Sequence, residues 1–281
     1  MKLRKYWKQL ALAATLVVGL GIVAGCGDNS ASDTNAAVNK DAKVINVATR
    51  GTSKPFSYTD ENGNLTGYDV AILKEVERRD PSLHFNFKAM SVDAAFVAMD
   101  AGQVDAIANQ MRNNPSRAAK YIYTKEINNY TVRRLVVKKG RTDIKSLDDL
   151  QGKTVAATTN SEFSELLKKY NETAKTPINI IFTDKGTAET LNLVATGRAD
   201  AAGEYVYMVT TAQKDRNLPV ESVGGVLTDV PTYFILRKDP EMRKVADKID
   251  AQIKKMREDG TLKKLSEQYL GGDYTVKPNA N

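Results

Sequence analysis

A short pattern occurs twice in this chain of 281 residues, and each copy follows the same kind of segment. The pattern is GQVDA at residues 102–106 and GRADA at residues 197–201. Each copy comes after an apolar run typical of a strand, then a loop, then a stretch with helical spacing of its apolar residues. Strands that alternate with helices are typical of α/β layers with parallel pairing. The repeat therefore predicts two α/β lobes of similar plan, each with a largely parallel sheet.

The last third of the chain is predicted to return to the first lobe. Apolar residues at helical spacing predict one helix over 242–256 and a shorter one over 262–269. Two extended runs rich in β-branched residues, 129–138 and 223–236, have the length of connections between lobes. The chain is therefore expected to cross from the first lobe to the second and back again.

The N-terminal segment is expected to lie outside both lobes. Four basic residues fall within the first eight positions, and an apolar run of 15 residues follows and ends in small residues before Cys26, the only cysteine. The run is short for a membrane span, and its flanks are those of a secretory signal. The segment resembles the lipobox of a bacterial lipoprotein, which implies a signal peptide over 1–25 and lipidation of Cys26. The alternative is a buried structural cysteine, but Cys26 precedes any segment with a folding pattern.

Loss of this leader would change the charge and the chemistry of the mature chain. Residues 1–25 hold four basic and no acidic groups, so their removal would lower the formal net charge from +7 to about +3. No basic stripe then remains, which argues against a nucleic-acid partner. A lipidated Cys26 would leave no internal disulfide and no catalytic thiol. The Asn-, Ser- and Asp-rich residues 26–42 predict a flexible tether.

Polar residues follow the strand predicted at residues 104–108. Asn109, Gln110 and Arg112 come directly after it, and Arg117 lies at the start of the next predicted helix. Loops at strand ends commonly carry binding groups, and guanidinium groups bind anions. This segment therefore predicts an anion-binding site.

Five segments of the chain, in this order, resemble one family. They are PFSYTDENGNLTGYDV (55–70), MDAGQVDAIA (99–108), SLDDLQGKTVA (146–156), TGRADA (196–201) and EDGTLKKLSEQYLGGDY (258–274). The family comprises the solute-binding proteins of ATP-driven importers of polar amino acids. Its members have the type II periplasmic-binding-protein fold, and the resemblance covers nearly everything from residue 44 to residue 274.

This resemblance implies an α/β fold of two lobes, each with a mixed, mostly parallel sheet, joined by a two-stranded hinge. Lobe 1 is then discontinuous, with residues 43–131 and 232–281, and lobe 2 spans residues 132–231. The ligand is expected to be trapped in the cleft between the lobes when they close.

The resemblance also assigns candidate ligand-binding residues in lobe 1. Arg117 matches the arginine that holds the α-carboxylate of the ligand with two parallel hydrogen bonds. Gln110 and Arg112 fall where the family has a glycine and a hydroxyl residue at the same end of the ligand. Two further candidates come from their position and not from the resemblance. Arg50 follows the first predicted strand at the same sheet edge, and Asn109 could bond a second head group of the ligand or a bridging water.

In lobe 2 the candidates are Thr159, Asn160 and Ser161, in the loop where the family offers hydroxyl and helix N–H groups. Many members then have an aspartate for the ligand's ammonium group, but this chain has Tyr205 there, with Glu204 one position earlier. Neighbouring residues of a strand point to opposite faces, so Glu204 would replace the aspartate only if the backbone differed.

The segments around residues 101–124 and 260–274 resemble the branch that binds cystine. Three guanidinium groups, those of Arg50, Arg112 and Arg117, would repel one another unless an anion or a partner such as Glu162 or Glu204 offset them. This favours a ligand with two carboxylates, with cystine first and glutamate second. The alternative is that Arg50 and Arg112 face solvent and the pocket takes an uncharged polar amino acid.

The expected function is therefore capture of an amino acid without catalysis, by a monomer, and delivery to an ABC permease and its ATPase. The expected location is the outer face of the cell membrane, through the lipid anchor. One alternative is an enzyme of the same fold, such as a cyclohexadienyl dehydratase, with Glu162 or Glu204 as acid–base groups. The other is an amino-acid sensor or adhesin. The sequence has no metal-ligand spacing and no phosphate-binding glycine loop, so no metal or cofactor is expected.

Overall fold

The computed structural model describes residues 41–278. The predicted signal peptide (1–25), Cys26 and all but the last two residues of the predicted tether (26–42) lie outside the described residues. Within residues 41–278, no helix is long and apolar enough to cross a lipid bilayer.

Strands and helices alternate along most of the described chain. The elements up to residue 123 are β1 Lys43–Thr49, β2 Thr52–Ser53, β3 Ser57–Thr59, β4 Leu65–Thr66, α1 Tyr68–Arg79, β5 Leu83–Ala89, α2 Val92–Asp100, β6 Ala106–Arg112, α3 Pro115–Lys120 and β7 Tyr121–Tyr123. The next are β8 Tyr130–Lys138, a 3₁₀ turn Asp148–Leu150, β9 Thr154–Thr158, α4 Glu162–Asn171, β10 Asn179–Thr183, α5 Thr187–Ala195, β11 Ala201–Tyr205 and α6 Val206–Arg216. The last are β12 Val220–Arg237, α7 Pro240–Glu258 and α8 Thr261–Leu270.

In the described part of the chain, nine strands form one mixed sheet in the order β10-β9-β11-β8-β12-β6-β1-β5, with β7 also paired to β12. The parallel pairs are β1 with β5 and β6, and β9 with β10 and β11. Every antiparallel pair of this sheet involves β8 or β12. The parallel pairing expected from the repeat is therefore present in both halves of the strand order. The two long strands between these halves, β8 and β12, make the sheet mixed.

Strand β12 has 18 residues and pairs with strands from both halves of the sheet. Its residues 220–231 pair with β8, and its residues 232–236 pair with β6. The pairing with β8 is interrupted between Val223 and Thr228. Gly224 has a φ of 71° there, and an added Cβ would collide with the carbonyl oxygen of Lys145, so the chain needs glycine at this bend.

The apolar core divides into two sets of residues on either side of this crossing. The first region, as we call it, holds β1, β5, β6 and β7 with α1, α2, α7 and α8, and its buried clusters use residues 45–122 and 234–270. The second region holds β8–β11 with α4–α6, and its buried clusters use residues 135–220. Residues near both ends of the described chain therefore share one core, because α7 and α8 pack against α1.

Several local features of the fold come from residues that are close together in the chain. The Asn62-Gly63 turn joins β3 and β4, with the Gly63 N–H donating to the Asp60 carbonyl at 3.0 Å. The Ser91 hydroxyl caps α2 by accepting from the Ala94 N–H at 3.2 Å. The apolar stripe after residue 240 is buried along α7. These features follow from nearby residues, which is why sequence patterns find them.

The end of β6 differs from the sequence-based expectation. The strand was expected to end before Asn109, but it continues to Arg112 because residues 111–112 pair with Thr232 and Tyr233 of β12. Gln110 takes a left-handed φ of 51° and marks a change of register in this pairing. The polar residues therefore lie on an irregular strand end instead of a free loop.

Candidate functional site

Arg117 is a half-buried cation without an acidic partner among residues 41–278. It lies in the short helix α3, where the side chain of Asn114 accepts a hydrogen bond from the Arg117 N–H at 3.2 Å. Its guanidinium carbon is 4.8 Å from the centre of the Phe96 ring. Burial raises the pKa of the neighbouring Tyr123 hydroxyl, and the nearby Arg117 opposes this shift. The Phe96 ring supports the guanidinium, which lies next to the Tyr123 hydroxyl and has no carboxylate partner in the described chain, so an anion could bind it.

Arg112 joins the first region to the second. Its guanidinium donates to the Glu162 carboxylate at 2.9 Å and to the Tyr205 hydroxyl. Glu162 begins α4, and Tyr205 ends β11, so both partners belong to the second region. The charge of Arg112 is therefore offset within the protein, by one of the two carboxylates that the sequence analysis named for this role.

Arg50 lies after β1, as expected, but its side chain is exposed. It forms no ion pair with any residue in the described range 41–278. The three guanidinium groups therefore have different environments: Arg117 is half-buried with no acidic partner in the described chain, Arg112 is paired, and Arg50 faces solvent. The charge repulsion that predicted a second ligand carboxylate is largely relieved by the protein itself.

Gln110 is bound to a buried carboxylate, that of Asp69 in the first turn of α1. The Gln110 backbone N–H donates to Asp69 at 3.1 Å, and its side-chain amide donates at 2.6 Å. Burial raises the pKa of Asp69 to about 7, against the lowering effect of these two bonds. The neighbouring Asn109 has a buried Nδ2 without a hydrogen-bond partner among the described residues. These contacts give Gln110 a positioning role, since they hold the irregular end of β6.

The loop between β9 and α4 carries the three candidates of the second region. The Thr159 hydroxyl donates to the Thr183 carbonyl at 3.2 Å, and Asn160 has a left-handed φ of 55°. The Ser161 hydroxyl accepts from the Ser164 N–H at 3.1 Å and so caps α4. Thr159 and Asn160 are exposed, whereas the Ser161 oxygen already serves the helix.

Glu204 and Tyr205 point to opposite faces of β11, as strand geometry requires. Glu204 is buried and accepts hydrogen bonds from Thr190 at 2.6 Å and from Thr187 at 2.9 Å, both on α5. Its pKa is raised, chiefly by burial. Tyr205 faces Arg112 instead. Tyr205, and not Glu204, therefore occupies the place near Arg112.

A row of aromatic rings connects the two regions next to this cluster. The Tyr205 ring is nearly parallel to the Tyr207 ring, with centroids 5.7 Å apart. Tyr207 in turn meets Phe56 of the first region edge-on at 4.6 Å. An ion pair of 2.9 Å between Lys54 and Asp215 of α6 also joins the two regions. The two regions are therefore in contact in this structure through rings and charges.

Arg133 is the residue of this cluster that the sequence analysis missed. It lies on β8 opposite Tyr205, and its guanidinium carbon is 4.4 Å from the centre of the Tyr205 ring. It is 7% exposed and lies 3.9 Å from Glu162. The sequence signal was present, because two arginines interrupt an otherwise apolar strand. A charge on such a strand needs an explanation, either an edge position or a buried role.

No group of three or more His, Cys, Asp or Glu side chains within residues 41–278 is placed to hold a metal ion. What the described cluster offers is a set of fixed donors and acceptors for a charged polar molecule. The cluster combines cations from both regions with carboxylates that are held by partners.

Comparison with known proteins agrees with this chemistry. Residues 45–272 match the model of the bacterial extracellular solute-binding proteins, family 3. The chain is 34% identical over 261 residues to the L-cystine-binding protein TcyJ of Bacillus subtilis, which covers 92% of this chain and 96% of that protein.

Two solved structures are also similar. The probable amino-acid ABC transporter extracellular-binding protein ytmK of Bacillus subtilis has a TM-score of 0.73 at 33% identity, covering 83% of this chain and 100% of that chain. The L-cystine solute receptor of Neisseria gonorrhoeae, in the unliganded open conformation, has a TM-score of 0.74 at 29% identity. The match covers 85% of this chain and 97% of that chain. The α/β fold of the type II periplasmic-binding-protein kind is thereby confirmed.

Proposed function

Because the chain belongs to the bacterial extracellular solute-binding proteins of family 3, as its five motifs predicted, we propose that it captures L-cystine for an ABC importer. Glutamate is the second candidate ligand. The chain is a solute-binding protein of the amino-acid importer class, and its relatives are named as binding proteins. We extend this to binding without catalysis, by a monomer that delivers the ligand to the permease and its ATPase.

The observation that carries the proposal is Arg117, a half-buried guanidinium supported by Phe96 and without an acidic partner in the described chain. A carboxylate fits its two parallel donors, and every amino acid has one. The preference for cystine comes from the relatives, two of which are L-cystine-binding proteins at 34% identity. It no longer depends on Arg50 and Arg112.

We also propose that the two regions act as the lobes of a clamp, with lobe 1 over residues 43–131 and 232–281 and lobe 2 over residues 132–231. The division of the buried clusters supports these limits. Arg112, Glu162 and Tyr205 then meet when the lobes close. The ligand would lie beside them, next to Arg117.

The enzyme alternative gains no support from the two glutamates named for it. Glu204 is buried beneath two threonine hydroxyls, and Glu162 is paired with Arg112. Neither carboxylate is free to transfer a proton to a substrate in this arrangement. A sensor would use the same ligand contacts, so it shares the binding proposal.

The ligand is tested by thermal unfolding of the purified protein with cystine, glutamate, glutamine and arginine. A ligand that binds only the folded state, at 100 times its Kd, adds about 2.7 kcal/mol. We expect cystine to raise the Tm by about 5–10 °C for a chain of this size. Adding a reductant should abolish the shift because it destroys the ligand. Tight binding of arginine or glutamine, with none of cystine or glutamate, would contradict the proposal.

We propose that Cys26 carries the lipid that holds the protein on the outer face of the cell membrane. The proposal is supported by the basic and apolar leader that precedes Cys26. The diacylglycerol of a lipoprotein supplies two acyl chains, which suffice for stable anchoring. Changing Cys26 to alanine should move the protein out of the membrane fraction, as followed by fractionation and immunoblotting. A variant at Ser30, within the same segment, serves as the control and should stay in the membrane. Membrane retention of a processed Cys26→Ala protein would exclude this anchor.

A further inference from the structure

Helix α6 starts directly after Tyr205, the residue of the second region whose hydroxyl accepts from Arg112. Two of its residues, Val209 and Ala212, are buried in the core of the second region. On a helix with 3.6 residues per turn these two side chains lie about 60° apart around the axis, on one face. The opposite face of α6 is therefore left for contacts outside this core.

Three residues of this opposite face, which we call the outer face of α6, contact the first region: Tyr207, Thr210 and Asp215. The Tyr207 ring meets the Phe56 ring edge-on, with centroids 4.6 Å apart. The Asp215 carboxylate pairs with the Lys54 ammonium group at 2.9 Å. The first and last of these residues are separated by about 12 Å of helix. Helix α6 therefore lies along the boundary between the two regions.

The middle contact is a close approach of α6 to the end of α8. The Thr210 hydroxyl donates to the Val206 carbonyl at 3.1 Å, so this polar group is satisfied within its own helix. Gly271 ends α8 with a φ of 80°, and a Cβ atom added there would lie 2.7 Å from Cγ2 of Thr210. Glycine at position 271 therefore serves the left-handed turn and also allows the two helices to meet.

These contacts differ from those that fix α6 in the second region. Val209 and Ala212 are buried in a core cluster, whereas the ion pair is half-exposed and Tyr207 is only half-buried. The contacts with the first region are made by ring edges, a methyl group and charged ends, so they can separate without opening either core. A contact that is present in only one of two conformations shifts the equilibrium toward that conformation by its own free energy.

We propose that the outer face of α6 is a latch that holds the two regions closed and so sets how tightly the protein keeps its ligand. The inference rests on the proposed function, in which the regions close as a clamp. When only the closed form is competent to bind, the observed Kd equals that of the closed form divided by the closed fraction. A weaker latch therefore raises the Kd and opens the ligand-free protein. Tyr207 joins the latch to the site, because its ring stacks on that of Tyr205 at 5.7 Å.

The test is Gly271→Ala, which places a methyl group against Thr210 and should hold the two regions apart. Calorimetry should show the Kd for L-cystine rising about 5- to 100-fold, the range that an overpacked contact gives. Small-angle X-ray scattering of the ligand-free variant should show a larger radius of gyration than that of the wild type. The scattering measurement needs no ligand, so it tests the latch separately from the choice of ligand.

Two variants separate the collision from backbone strain. Gly260, at the other end of α8, has a φ of 78°, and an added Cβ there meets nothing within 4 Å. Gly260→Ala should therefore bind L-cystine within threefold of the wild type and keep its radius of gyration. Thr210→Ser removes the colliding methyl group and keeps the hydroxyl, so in combination with Gly271→Ala it should recover most of the affinity and the smaller radius of gyration. Equal effects of Gly271→Ala and Gly260→Ala on both measurements, or no recovery with Thr210→Ser, would overturn the inference.

The ion pair gives a second test, by exchange of the two charges. Lys54→Glu and Asp215→Lys each place like charges opposite one another, and each should weaken L-cystine binding by about 2- to 5-fold, as expected for a half-exposed pair. The effect should fade at about 0.5 M salt. The double variant restores the attraction and should bind like the wild type. A double variant that binds no better than either single variant would contradict the latch.

Failure of the latch can be told from failure of the proposed function. If L-cystine binds tightly but Gly271→Ala changes neither its Kd nor the radius of gyration, the latch is wrong and the proposed function stands. If the wild type binds none of the amino acids tested, the proposed function is wrong. The latch then stands only if Gly271→Ala opens the ligand-free protein and Thr210→Ser closes it again.

Discussion

Replacing Arg117 with alanine should abolish ligand capture while the protein stays folded. The side chain is half-buried, lies on Phe96 and has no acidic partner among the described residues, so its loss breaks no internal ion pair. A desolvated, charged contact of this kind contributes on the order of 2–5 kcal/mol to binding. The Kd for the amino acid should therefore rise about 30-fold to several thousand-fold, as measured by calorimetry.

Two variants make this result specific. Arg117→Lys keeps the charge but not the two parallel donors, so it should recover only part of the affinity. Lys120→Ala removes an exposed cation from the same helix and should bind like the wild type. An Arg117→Ala protein with affinity within threefold of the wild type would place the carboxylate elsewhere.

The second large effect is a pH dependence of stability that comes from Asp69. This carboxyl group is completely buried at the start of α1, and burial raises its pKa from 3.8 to about 7. Between these two values the folded protein keeps a proton that the unfolded chain releases. The contribution of Asp69 is therefore most favourable below about pH 4 and is lost as the pH rises through 7. At about 1.4 kcal/mol per unit, the change is on the order of 4 kcal/mol.

Asp69→Asn should remove this dependence. The free energy of unfolding, measured with urea at pH 4.5 and pH 7.5, should show wild type minus variant increasing toward the lower pH. Asp93→Asn, on the exposed surface of α2, corrects for the loss of one formal charge. A wild type–variant difference that is the same at both pH values would contradict the raised pKa. Ligand binding is a useful second readout, because Asp69 holds Gln110 at the end of β6.

The elements of the fold follow from local patterns, whereas the partners of the site residues do not. Ser91 caps its helix through an atom three residues away, and the Asn62-Gly63 turn closes over four residues. By contrast, Arg112 finds Glu162 fifty residues later in the chain. A motif can place a residue at a strand end, but it cannot say whether a distant carboxylate has already neutralised it.

The burial of Arg133 also depends on contacts between distant segments of the chain. An arginine on a strand is usually exposed, so the two arginines in this apolar strand mark the position as unusual but do not say that Arg133 is the buried one. Its burial arises because β8, α4 and the bend of β12 meet there. The direction of the Glu204 side chain could be predicted, since the alternation of a strand correctly indicated that Glu204 and Tyr205 face opposite ways.

The position of the long strand β12 also determines whether an incomplete chain can fold its first region. Strand β6 lies between β1 and β12, and the core beside it takes side chains from α7 and α8. A nascent or truncated chain that stops before residue 232 would leave the backbone groups of β6 open along one edge and part of that core uncovered. Open edges of this kind pair with other chains and aggregate. Export of the unfinished polypeptide in an unfolded form would avoid this hazard. The second region does not share it, because residues 132–220 already contain its buried clusters.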